Sequence, residues 1–456
     1  MTKLVKIVIA RRFIMKQMKL SRYLVKASFL QSEIQKILVL STRSGVLRAF
    51  DFLTWTYLEE KRWDLLAKEL LQELAADFFI VKENEDEFKT ILHENMTHIN
   101  TSGALYKVLQ PTAYCPLGCD YCGQVHHPKL MRPEIQEAIL LRTGQELSAH
   151  SYQSLRIGWF GGEPLSGIKV IEELTPKFQT LCRERNVVYD AAIVTNGLLL
   201  TEYIAQKLIH ELGVGSFEIT LDGTAEFHDQ RRHTKNFGKT FDKIYANLLR
   251  LVEQKSADIK VSIRCNVDER NQEGVDGLIE KLAQDGLHQH IYFYVASVYS
   301  WGNDAHQLSL ARQEFADREI EWLVKMQQLG FKRPNCYLPA RKKMVCMTVN
   351  PSSSLIDPFG SIFHCTEVSL VPTYERAGGK HVYQAGHILS SQANTPQVDL
   401  RGFYKDLGIL EYECPSCVMF PTCGGGCPKQ WKEGHIPCPA TKYNIQKRMI
   451  LEYLQR

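Results

Sequence analysis

Long hydrophobic runs are missing from this sequence of 456 residues. No stretch of about 18 or more apolar residues occurs, so no membrane-spanning helix and no membrane partner is expected. An excess of charge of one sign is also missing, because 55 Lys and Arg face 51 Asp and Glu and the net charge is +4. Such a balance does not by itself favour binding to nucleic acid or to a membrane surface.

Cysteine is absent from the first 114 residues, whereas thirteen cysteines follow and eight of them fall in the last 121 residues. The start of the chain is basic, but Lys6, Arg11 and Arg12 interrupt its apolar stretch and no cleavage site follows, which disfavours a signal peptide. Residues 1–21 are predicted to form a basic tail. A long chain of this kind is expected in the reducing cytoplasm, where clustered cysteines hold metal or iron–sulfur groups.

Residues 22–98 are predicted to form a small winged-helix-like module. The stretch KILVLSTRSGVLRAF predicts a hairpin, because two β-rich runs flank Ser44 and Gly45. Leucines on one face then predict a helix, and a short strand follows at residues 78–81. The leucines of that face are Leu65, Leu66, Leu70, Leu71 and Leu74.

Strands and helices alternate from residue 104 to residue 310. Six β-rich segments are each followed by a helical pattern, which predicts an α/β fold with a parallel sheet, as a partial (β/α)6 TIM-like barrel. A linking helix is predicted at residues 311–335. In such barrels the carboxyl ends of the strands carry the chemistry. The residues that follow predicted strands are Cys115, Gly161 to Pro164, Asn196, Asp222 and Asn266.

The loop CPLGCDYC holds Cys115, Cys119 and Cys122 at C-x₃-C-x₂-C spacing, with no fourth cysteine nearby. Three thiolates can hold a [4Fe–4S] cluster and leave one iron open to another ligand. A structural zinc site is the alternative, with His126 or His127 as the fourth ligand.

This loop, with Tyr121 before its last cysteine, resembles the signature of the radical S-adenosylmethionine (SAM) superfamily. The resemblance implies that SAM binds the open iron and is cleaved by one electron to methionine and a 5′-deoxyadenosyl radical, which abstracts hydrogen from a substrate. It also implies a low-potential electron donor, either a flavodoxin or a ferredoxin.

The resemblance extends to the expected SAM contacts. GGEP, comprising Gly161, Gly162, Glu163 and Pro164, follows the second strand, where family members contact the methionine amino group. Asn196, Thr220 and Arg264 lie near the ends of the next three strands and are implied to hold the ribose and carboxylate of SAM. Each of these three also has a simple structural interpretation, as a turn Asn, a strand Thr or a surface Arg.

The C-terminal cysteines resemble the seven-cysteine pattern of the SPASM domain, predicted here at residues 336–456. The resemblance implies two auxiliary [4Fe–4S] clusters, hence three clusters in all, whereas zinc knuckles are the alternative. Cys182 and Cys265 are left over and are expected to be small buried residues. The implied ligands of the first auxiliary cluster are Cys346, Cys365 and Cys427, with Cys336 as the candidate fourth ligand, and those of the second are Cys414, Cys417, Cys423 and Cys438.

SPASM-bearing enzymes mostly modify peptides, so the resemblance implies a maturase of ribosomally made precursor peptides. Such an oxidoreductase installs a thioether, ether or carbon–carbon crosslink, or another oxidation. The module at residues 22–98 would bind the leader of the precursor as an additional strand.

Two alternatives remain open. Anaerobic sulfatase-maturing enzymes, which make formylglycine, resemble this chain but carry Asp directly after the cysteine that matches Cys365, where this chain has Thr366 and Glu367. Glu367 is a candidate proton acceptor, or else a surface carboxylate. The other alternative is a cysteine-ligated DNA-binding regulator. Its support is the basic N-terminus, but the helix LLAKELLQELAADFF is acidic on its polar side, so no nucleic-acid partner is expected.

Overall fold

The computed structural model describes residues 17–31, 34–101, 103–254, 259–331, 337–377, 379–390, 395–407 and 413–456. Most of the predicted basic tail and Cys336 therefore lie outside the described residues. The chain divides into two compact units. One comprises Met1–Asn100, Asn335–Val345 and Gly402–Arg456, and the other comprises Thr101–Pro334 and Cys346–Arg401.

The described residues contain the following strands and α-helices. The strands are β1 (Met18–Leu20), β2 (Leu24–Gln31), β3 (Ile34–Ser41), β4 (Leu47–Phe50), β5 (Ile80–Lys82), β6 (Ala104–Leu109), β7 (Ser154–Trp159), β8 (Val188–Thr195), β9 (Val214–Thr220), β10 (Lys260–Val267), β11 (Ile291–Ser297), β12 (Ser353–Ile356), β13 (Ser361–Phe363), β14 (Glu375–Arg376), β15 (Lys380–His381) and β16 (Gly386–His387). The helices are α1 (Phe52–Glu59), α2 (Lys68–Ala76), α3 (Glu87–Asn100), α4 (Pro133–Ala149), α5 (Ile168–Glu184), α6 (Glu202–His210), α7 (Ala225–Arg231), α8 (Phe241–Glu253), α9 (Gly274–Gln284), α10 (Arg312–Gln328), α11 (Phe403–Leu407), α12 (Phe420–Cys423), α13 (Pro428–Lys432) and α14 (Thr441–Tyr453). None of the described helices is both long and apolar enough to cross a bilayer.

Six parallel strands form the centre of the larger unit. Strands β6 to β11 lie side by side in chain order, and each pair of neighbours is parallel. Leu155, Ile157 and Trp159 alternate along β7, so they lie on one face of the strand, and all three are buried. The predicted α/β fold with a partial (β/α)6 barrel is confirmed.

The barrel sheet continues beyond β6. Strand β12 pairs in parallel with β6, and β13 and β16 follow in antiparallel register, so the sheet has nine strands. Pairing satisfies the backbone groups that an edge at β6 would leave open. Val108, Leu355, Phe363 and Cys365 belong to one apolar cluster beneath this extension. Part of the segment predicted as a C-terminal domain therefore lies in the barrel unit.

The smaller unit contains the predicted hairpin. Strands β3 and β4 pair antiparallel from Ile37 with Phe50 to Leu40 with Leu47, and β2 adds a third strand. The predicted continuous leucine helix was wrong at its start: a short 3₁₀ turn ends at Leu65, which is exposed, and Leu66 has extended backbone angles. The chain therefore begins α2 only at Lys68.

The last helix of the chain belongs to the same unit as the three-stranded sheet. Ile445 and Met449 of α14 pack in one cluster with Val25 and Leu38. Gln446 Nε2 also donates a hydrogen bond of 2.8 Å to the Lys26 carbonyl on β2. Residues 402–456 therefore contribute to an apolar core that they share with the N-terminal module.

Helix α6 offers a test of this packing in the barrel. Leu208 is fully buried at 0% exposure, whereas Tyr203 on the same helix is 67% exposed. Leu208→Ala is expected to lower the free energy of unfolding by about 2–5 kcal/mol, because it leaves a cavity in the core. Tyr203→Ala is the control and should change it by at most about 0.5 kcal/mol. Denaturant unfolding measures both, and equal effects of the two substitutions would contradict the assigned helix face.

Candidate active site

A cavity of about 170 Å³ opens at the carboxyl ends of the barrel strands. Parallel pairing brings these ends to one edge of the sheet, so loops distant in sequence meet there. Glu163 and Pro164 are not among the residues that line the cavity. The predicted site residues in its wall are Cys115, Cys119, Cys122, Gly161, Gly162, Asn196, Thr220, Arg264 and Glu367.

The three cysteines of the loop after β6 share this cavity. Cys115 is buried at 6% exposure, and burial, with the nearby Glu163 carboxylate, raises the pKa of its thiol. Burial also raises the pKa of Cys122, to about 12, with Cys119 contributing in the same direction. Buried thiols resist ionisation unless a cation compensates the charge, and bound iron supplies such a cation.

The types of donor in this cavity, but not their present arrangement, agree with an iron–sulfur cluster. Three sulfur donors, a common cavity and thiols that need a metal's charge to ionise agree with the expected chemistry. Within the described ranges, no three His, Cys, Asp or Glu side chains form a group that could hold a metal ion. The ligand roles of Cys115, Cys119 and Cys122 consequently stay a prediction.

The two glycines of GGEP let the backbone pass closely over its neighbours. Gly161 and Gly162 both have positive φ, of 79° and 34°. A Cβ on Gly161 would lie 2.3 Å from Gln110 Nε2, and one on Gly162 would lie 2.6 Å from the Tyr114 carbonyl oxygen. Side chains are therefore excluded from both positions, and the turn stays open towards the cavity.

Glu163 acts behind the cavity wall. Its side chain is fully buried at 0% exposure and accepts hydrogen bonds from Thr195 Oγ1 at 2.6 Å and from the Asn196 backbone N–H at 2.7 Å. Burial raises the pKa of this carboxyl group, while the same hydrogen bonds oppose the rise. Glu163 thereby fixes the end of β8, where Asn196 Nδ2 lies 3.6 Å from Cys115 Sγ.

A buried polar network joins the cysteine loop to β9 and β10. Tyr121 donates from its hydroxyl to Asp222 Oδ2 at 2.5 Å and accepts from Arg232 Nη1 at 2.5 Å and from Asn266 Nδ2 at 3.2 Å. Asp222 Oδ1 accepts the Asn266 backbone N–H at 2.8 Å. The network therefore holds Cys119 and Cys122 in place through the tyrosine between them.

Arg232 is the functional candidate that the sequence analysis missed. It is buried, lines the cavity, and its Nε has no hydrogen-bond partner among the described residues. Burial alone would lower the pKa of this guanidinium. The nearby Cys119, Tyr121 and Asp222 raise the pKa by more than burial lowers it, so it lies well above its usual value. The sequence shows only that Arg231 and Arg232 are consecutive and follow the turn at Asp222 and Gly223, which does not by itself identify Arg232.

The far side of the cavity is aromatic and charged. Trp301 Nε1 donates to the Glu367 carbonyl at 2.7 Å, and both residues line the cavity. Arg264 Nε donates to Asn266 Oδ1 at 2.7 Å, which links this side to the polar network. A substrate that entered here would meet the Glu367 carboxylate and the Arg264 guanidinium.

The smaller unit contains a second cysteine site. A cavity of about 260 Å³ is lined by the four cysteines predicted to hold the second auxiliary cluster, Cys414, Cys417, Cys423 and Cys438. Lys442 Nζ donates to Cys438 Sγ at 3.7 Å. Burial, followed by the neighbouring thiols, raises the pKa of Cys414 to about 12. The four cysteines share one cavity, and their role as ligands of the second auxiliary cluster stays a prediction.

The first auxiliary cluster stays a prediction. Cys346 and Cys365 lie in the barrel unit, and Cys427 lies in the other unit. Cys336 falls outside the described residues. The two leftover cysteines, Cys182 in α5 and Cys265 in β10, are buried as expected.

Residues 109–282 match the family model of the Radical SAM superfamily. This segment is a radical SAM domain. It begins at the end of β6 and includes the cysteine loop, GGEP and the polar network. The SAM-based chemistry and the iron–sulfur cluster implied by the sequence therefore belong to the family of this domain.

Several curated relatives are named as maturation or maturating proteins. Sporulation killing factor maturation protein SkfB of Bacillus subtilis is 27% identical over 226 residues, which are 50% of this chain and 51% of SkfB. A cysteine-type anaerobic sulfatase-maturating enzyme of Clostridium novyi is 24% identical over 371 residues, 73% of this chain and 90% of that protein. The chain spans about a third to a half of the length of the first curated relatives it matches.

A solved structure shows the same fold. Native anSMEcpe with bound AdoMet and Cp18Cys peptide aligns with a TM-score of 0.56 at 18% identity, covering 77% of this chain and 97% of that chain. At this identity the likeness concerns the fold alone.

The cysteine loop yields a test by metal content. Replacing Cys115, Cys119 and Cys122 together by Ala is expected to remove about four irons and four sulfides per chain after anaerobic reconstitution, because one cluster loses its ligands. Formation of 5′-deoxyadenosine should fall to background. Cys182→Ala is the control and should keep both. Unchanged iron and sulfide in the triple variant would contradict the ligand assignment.

The tyrosine of the polar network yields a second test. Tyr121→Phe removes the hydroxyl shared by Asp222, Arg232 and Asn266, so buried groups lose their partner and the free energy of unfolding should fall by about 1–3 kcal/mol. Tyr245→Phe removes a hydroxyl that lies 2.7 Å from Asp285 Oδ2 and 3.3 Å from the Lys281 carbonyl, near the surface, and is the control. Denaturant unfolding of the cluster-free protein measures both. A smaller loss for Tyr121→Phe than for the control would refute the importance of the network.

Proposed function

We propose that the chain is a radical SAM oxidoreductase that matures a ribosomally made precursor peptide. When bound, the cluster and SAM supply one-electron cleavage of SAM and a 5′-deoxyadenosyl radical that abstracts hydrogen from the peptide. The product would carry a thioether, ether or carbon–carbon crosslink, or another oxidation. The observation that carries this proposal is the common cavity of the three cysteines and the strand-end residues at the carboxyl edge of the barrel.

Different residues of the cavity would bind the cluster and SAM. Cys115, Cys119 and Cys122 would hold the cluster, and the open turn at Gly161–Gly162 leaves room for a ligand against the backbone. Asn196, Thr220 and Arg264 offer hydrogen-bonding groups from three successive strands. The orphaned Nε of the buried Arg232 is a donor suited to the carboxylate of an amino-acid-like ligand such as SAM.

Peptide as the substrate is supported by the relatives and by the smaller unit. SkfB is named as a maturation protein for sporulation killing factor. The sheet β2–β3–β4 has edge strands at β2 and β4, and an extended leader could add to such an edge as a further strand. The N-terminal module would thereby hold the precursor while its core segment enters the cavity.

Formylglycine synthesis is the second candidate. The Clostridium novyi relative is named as a sulfatase-maturating enzyme and matches 73% of this chain, so this reaction has direct support. The departure after Cys365, where Thr366 and Glu367 replace a directly following Asp, counts against it. A DNA-binding regulator has less support. Arg48 forms ion pairs with Glu73 and Asp77 of the acidic helix region, so its charge is already compensated within the protein.

A choice of peptides separates the two reactions. The anaerobically reconstituted protein would be given SAM and dithionite with short peptides encoded beside its gene, or with a sulfatase peptide that contains a Cys or Ser target. Loss of two hydrogens from an encoded peptide, with a crosslink located by tandem mass spectrometry, supports peptide maturation. Formylglycine in the sulfatase peptide supports the second candidate. No 5′-deoxyadenosine with any peptide would refute both.

Glu367 is expected to act on substrate rather than on SAM. Because its carboxylate lines the cavity, Glu367→Gln should keep formation of 5′-deoxyadenosine but lower peptide product by about 10²–10⁴-fold, as for loss of a general base. Glu375→Gln changes an exposed carboxylate in β14 and is the matched control. Full product formation by Glu367→Gln would contradict a role of Glu367 as the proton acceptor in the reaction of the peptide.

A further inference from the structure

The larger unit contains another cavity, which shares no lining residue with the candidate active site. Its volume is about 640 Å³, which lies within the range of pockets that hold small molecules. It is lined by residues of helix α4 and of the strands β6, β12, β13 and β16, and we call it the α4 cavity. Its wall includes Lys107, Glu146, Ser354, Ile356, Ile362 and Arg401.

Two rows of side chains with different polarity cross the strands of the α4 cavity. Lys107 of β6 lies opposite Ser354 of β12, and its Nζ donates to Ser354 Oγ at 3.2 Å. Two residues further along β12, Ile356 lies opposite Ile362 of β13. Residues two apart lie on the same face of a strand, about 7 Å from each other. A ligand on these strands would therefore meet a cationic row at one end and an apolar row at the other.

The cysteines predicted to hold the first auxiliary cluster do not line the α4 cavity. Neither Cys346 nor Cys365 belongs to its wall. Cys365 packs instead with Val108 and Leu355, which alternate with the cavity residues along their strands and so lie on the opposite face of the sheet. The α4 cavity is therefore separate from both predicted cofactor sites of the larger unit.

Positive charge exceeds negative charge in the wall of the α4 cavity. Among the described residues that line it, Lys107, Arg142 and Arg401 are cationic and Glu146 is the single carboxylate. Lys107 is 5% exposed, and its Nζ lies 2.5 Å from Glu146 Oε2. Arg142 Nε lies 3.5 Å from Glu146 Oε1. An ammonium group has three donors, so Lys107 has one left beside those directed to Glu146 and Ser354.

Arg401 has a buried donor that the protein does not use. Its Nη2 donates to the Ser353 carbonyl at 2.7 Å, whereas its Nε has no hydrogen-bond partner among the described residues. Asp399 accepts the backbone N–H of Arg401 at 2.9 Å but does not line the cavity. Burial lowers the pKa of the Arg401 guanidinium, while Asp399 and then Glu146 oppose this change. An oxyanion beside Nε would compensate the charge of the half-buried guanidinium.

We propose that the α4 cavity binds a nucleotide-like ligand, which is a phosphorylated small molecule with an apolar body. Its phosphate oxygens would accept from Lys107 Nζ and Arg401 Nε, and its body would pack on Ile356 and Ile362. Binding makes and breaks no covalent bond. The site goes beyond the proposed reaction on a peptide and does not depend on it.

The burial of Lys107 favours a small molecule over the surface of a partner protein. Leu141 and Leu389 also line the cavity but are 65% and 50% exposed, so they lie at its rim, whereas Lys107 is nearly inaccessible. Only a group that enters past this rim can reach the Lys107 ammonium. Entry of an acidic side chain of the peptide substrate is an outcome that the experiment distinguishes.

Titration with three probes tests the site in the reconstituted full chain. ADP is expected to bind more tightly than adenosine, which lacks the phosphates, and more tightly than pyrophosphate, which lacks the apolar body. The affinity for ADP should be the same with and without saturating SAM, because SAM is expected in the other cavity. Anaerobic isothermal titration calorimetry measures these dissociation constants.

Substitutions in the wall locate the ligand. Arg401→Gln is expected to raise the dissociation constant of ADP by about tenfold or more, since it removes a charged donor. Arg401→Lys keeps the charge and should give a smaller rise. Arg183→Gln removes an exposed arginine of α5 outside the cavity and is the matched control. All three should keep the 5′-deoxyadenosine formation of the unaltered protein.

A second position tests the apolar end without a buried charge. Leu389→Ser changes a half-exposed side chain of the wall, so the protein should fold normally. It should weaken binding of ADP and leave binding of pyrophosphate unchanged, because only ADP has a body that packs there. This variant decides the outcome if both Arg401 variants fail to fold.

Several results would overturn the proposal. Absence of ADP binding at millimolar concentration would do so, as would an unchanged dissociation constant in Arg401→Gln. Equal affinities for ADP and adenosine would exclude recognition of the phosphates, and equal affinities for ADP and pyrophosphate would exclude a site for the apolar body. Displacement of ADP by SAM would place ADP in the candidate active site, and displacement by the encoded peptide would assign the α4 cavity to the peptide.

Discussion

The parallel pairing of β6 to β10 is the constraint on which the candidate site depends. Each strand carries little chemistry by itself, but parallel neighbours end at the same edge, so five separate loops converge there. The loop after β6 contributes sulfur, the turn after β7 contributes open backbone, and β8 to β10 contribute polar side chains. Glu163 then locks two of these ends together across the sheet.

Because these strand ends converge, charged side chains are buried between them. Tyr121, Asp222 and Arg232 come from three different segments and satisfy one another out of contact with bulk water. A buried ion pair contributes little net stability, but removal of one partner leaves an expensive unpaired charge. The network therefore acts mainly to fix the position of the cysteine loop, since the Tyr121 hydroxyl bonds to Asp222, Arg232 and Asn266 at once.

Local patterns predicted the barrel, and the resemblance to the radical SAM superfamily predicted part of the cavity wall. Alternation of β and α segments and the spacing of Cys115, Cys119 and Cys122 are properties of contiguous sequence, and both could be read without coordinates. The role of Arg232 could not be read from the sequence, because it arises from contact with Tyr121, which is 111 residues away. The pairing of β12 with β6 was also missed, since a four-residue strand carries too little periodicity to identify its neighbour.

The strand pairing between β12 and β6 limits how this protein can be recombined. A chimera that exchanged the cysteine-rich C-terminal part at residue 335 would interrupt a continuous sheet. It would leave backbone N–H and C=O groups of β6 unpaired at an edge that could associate with other chains. Exchange after residue 401 would keep β12, β13 and β16 with the barrel, but it would separate α14 from Val25 and Leu38. The two compact units therefore differ from the domains that sequence motifs suggest. A chimera with a new substrate module on this barrel must exchange the N-terminal and the C-terminal segments of the chain together.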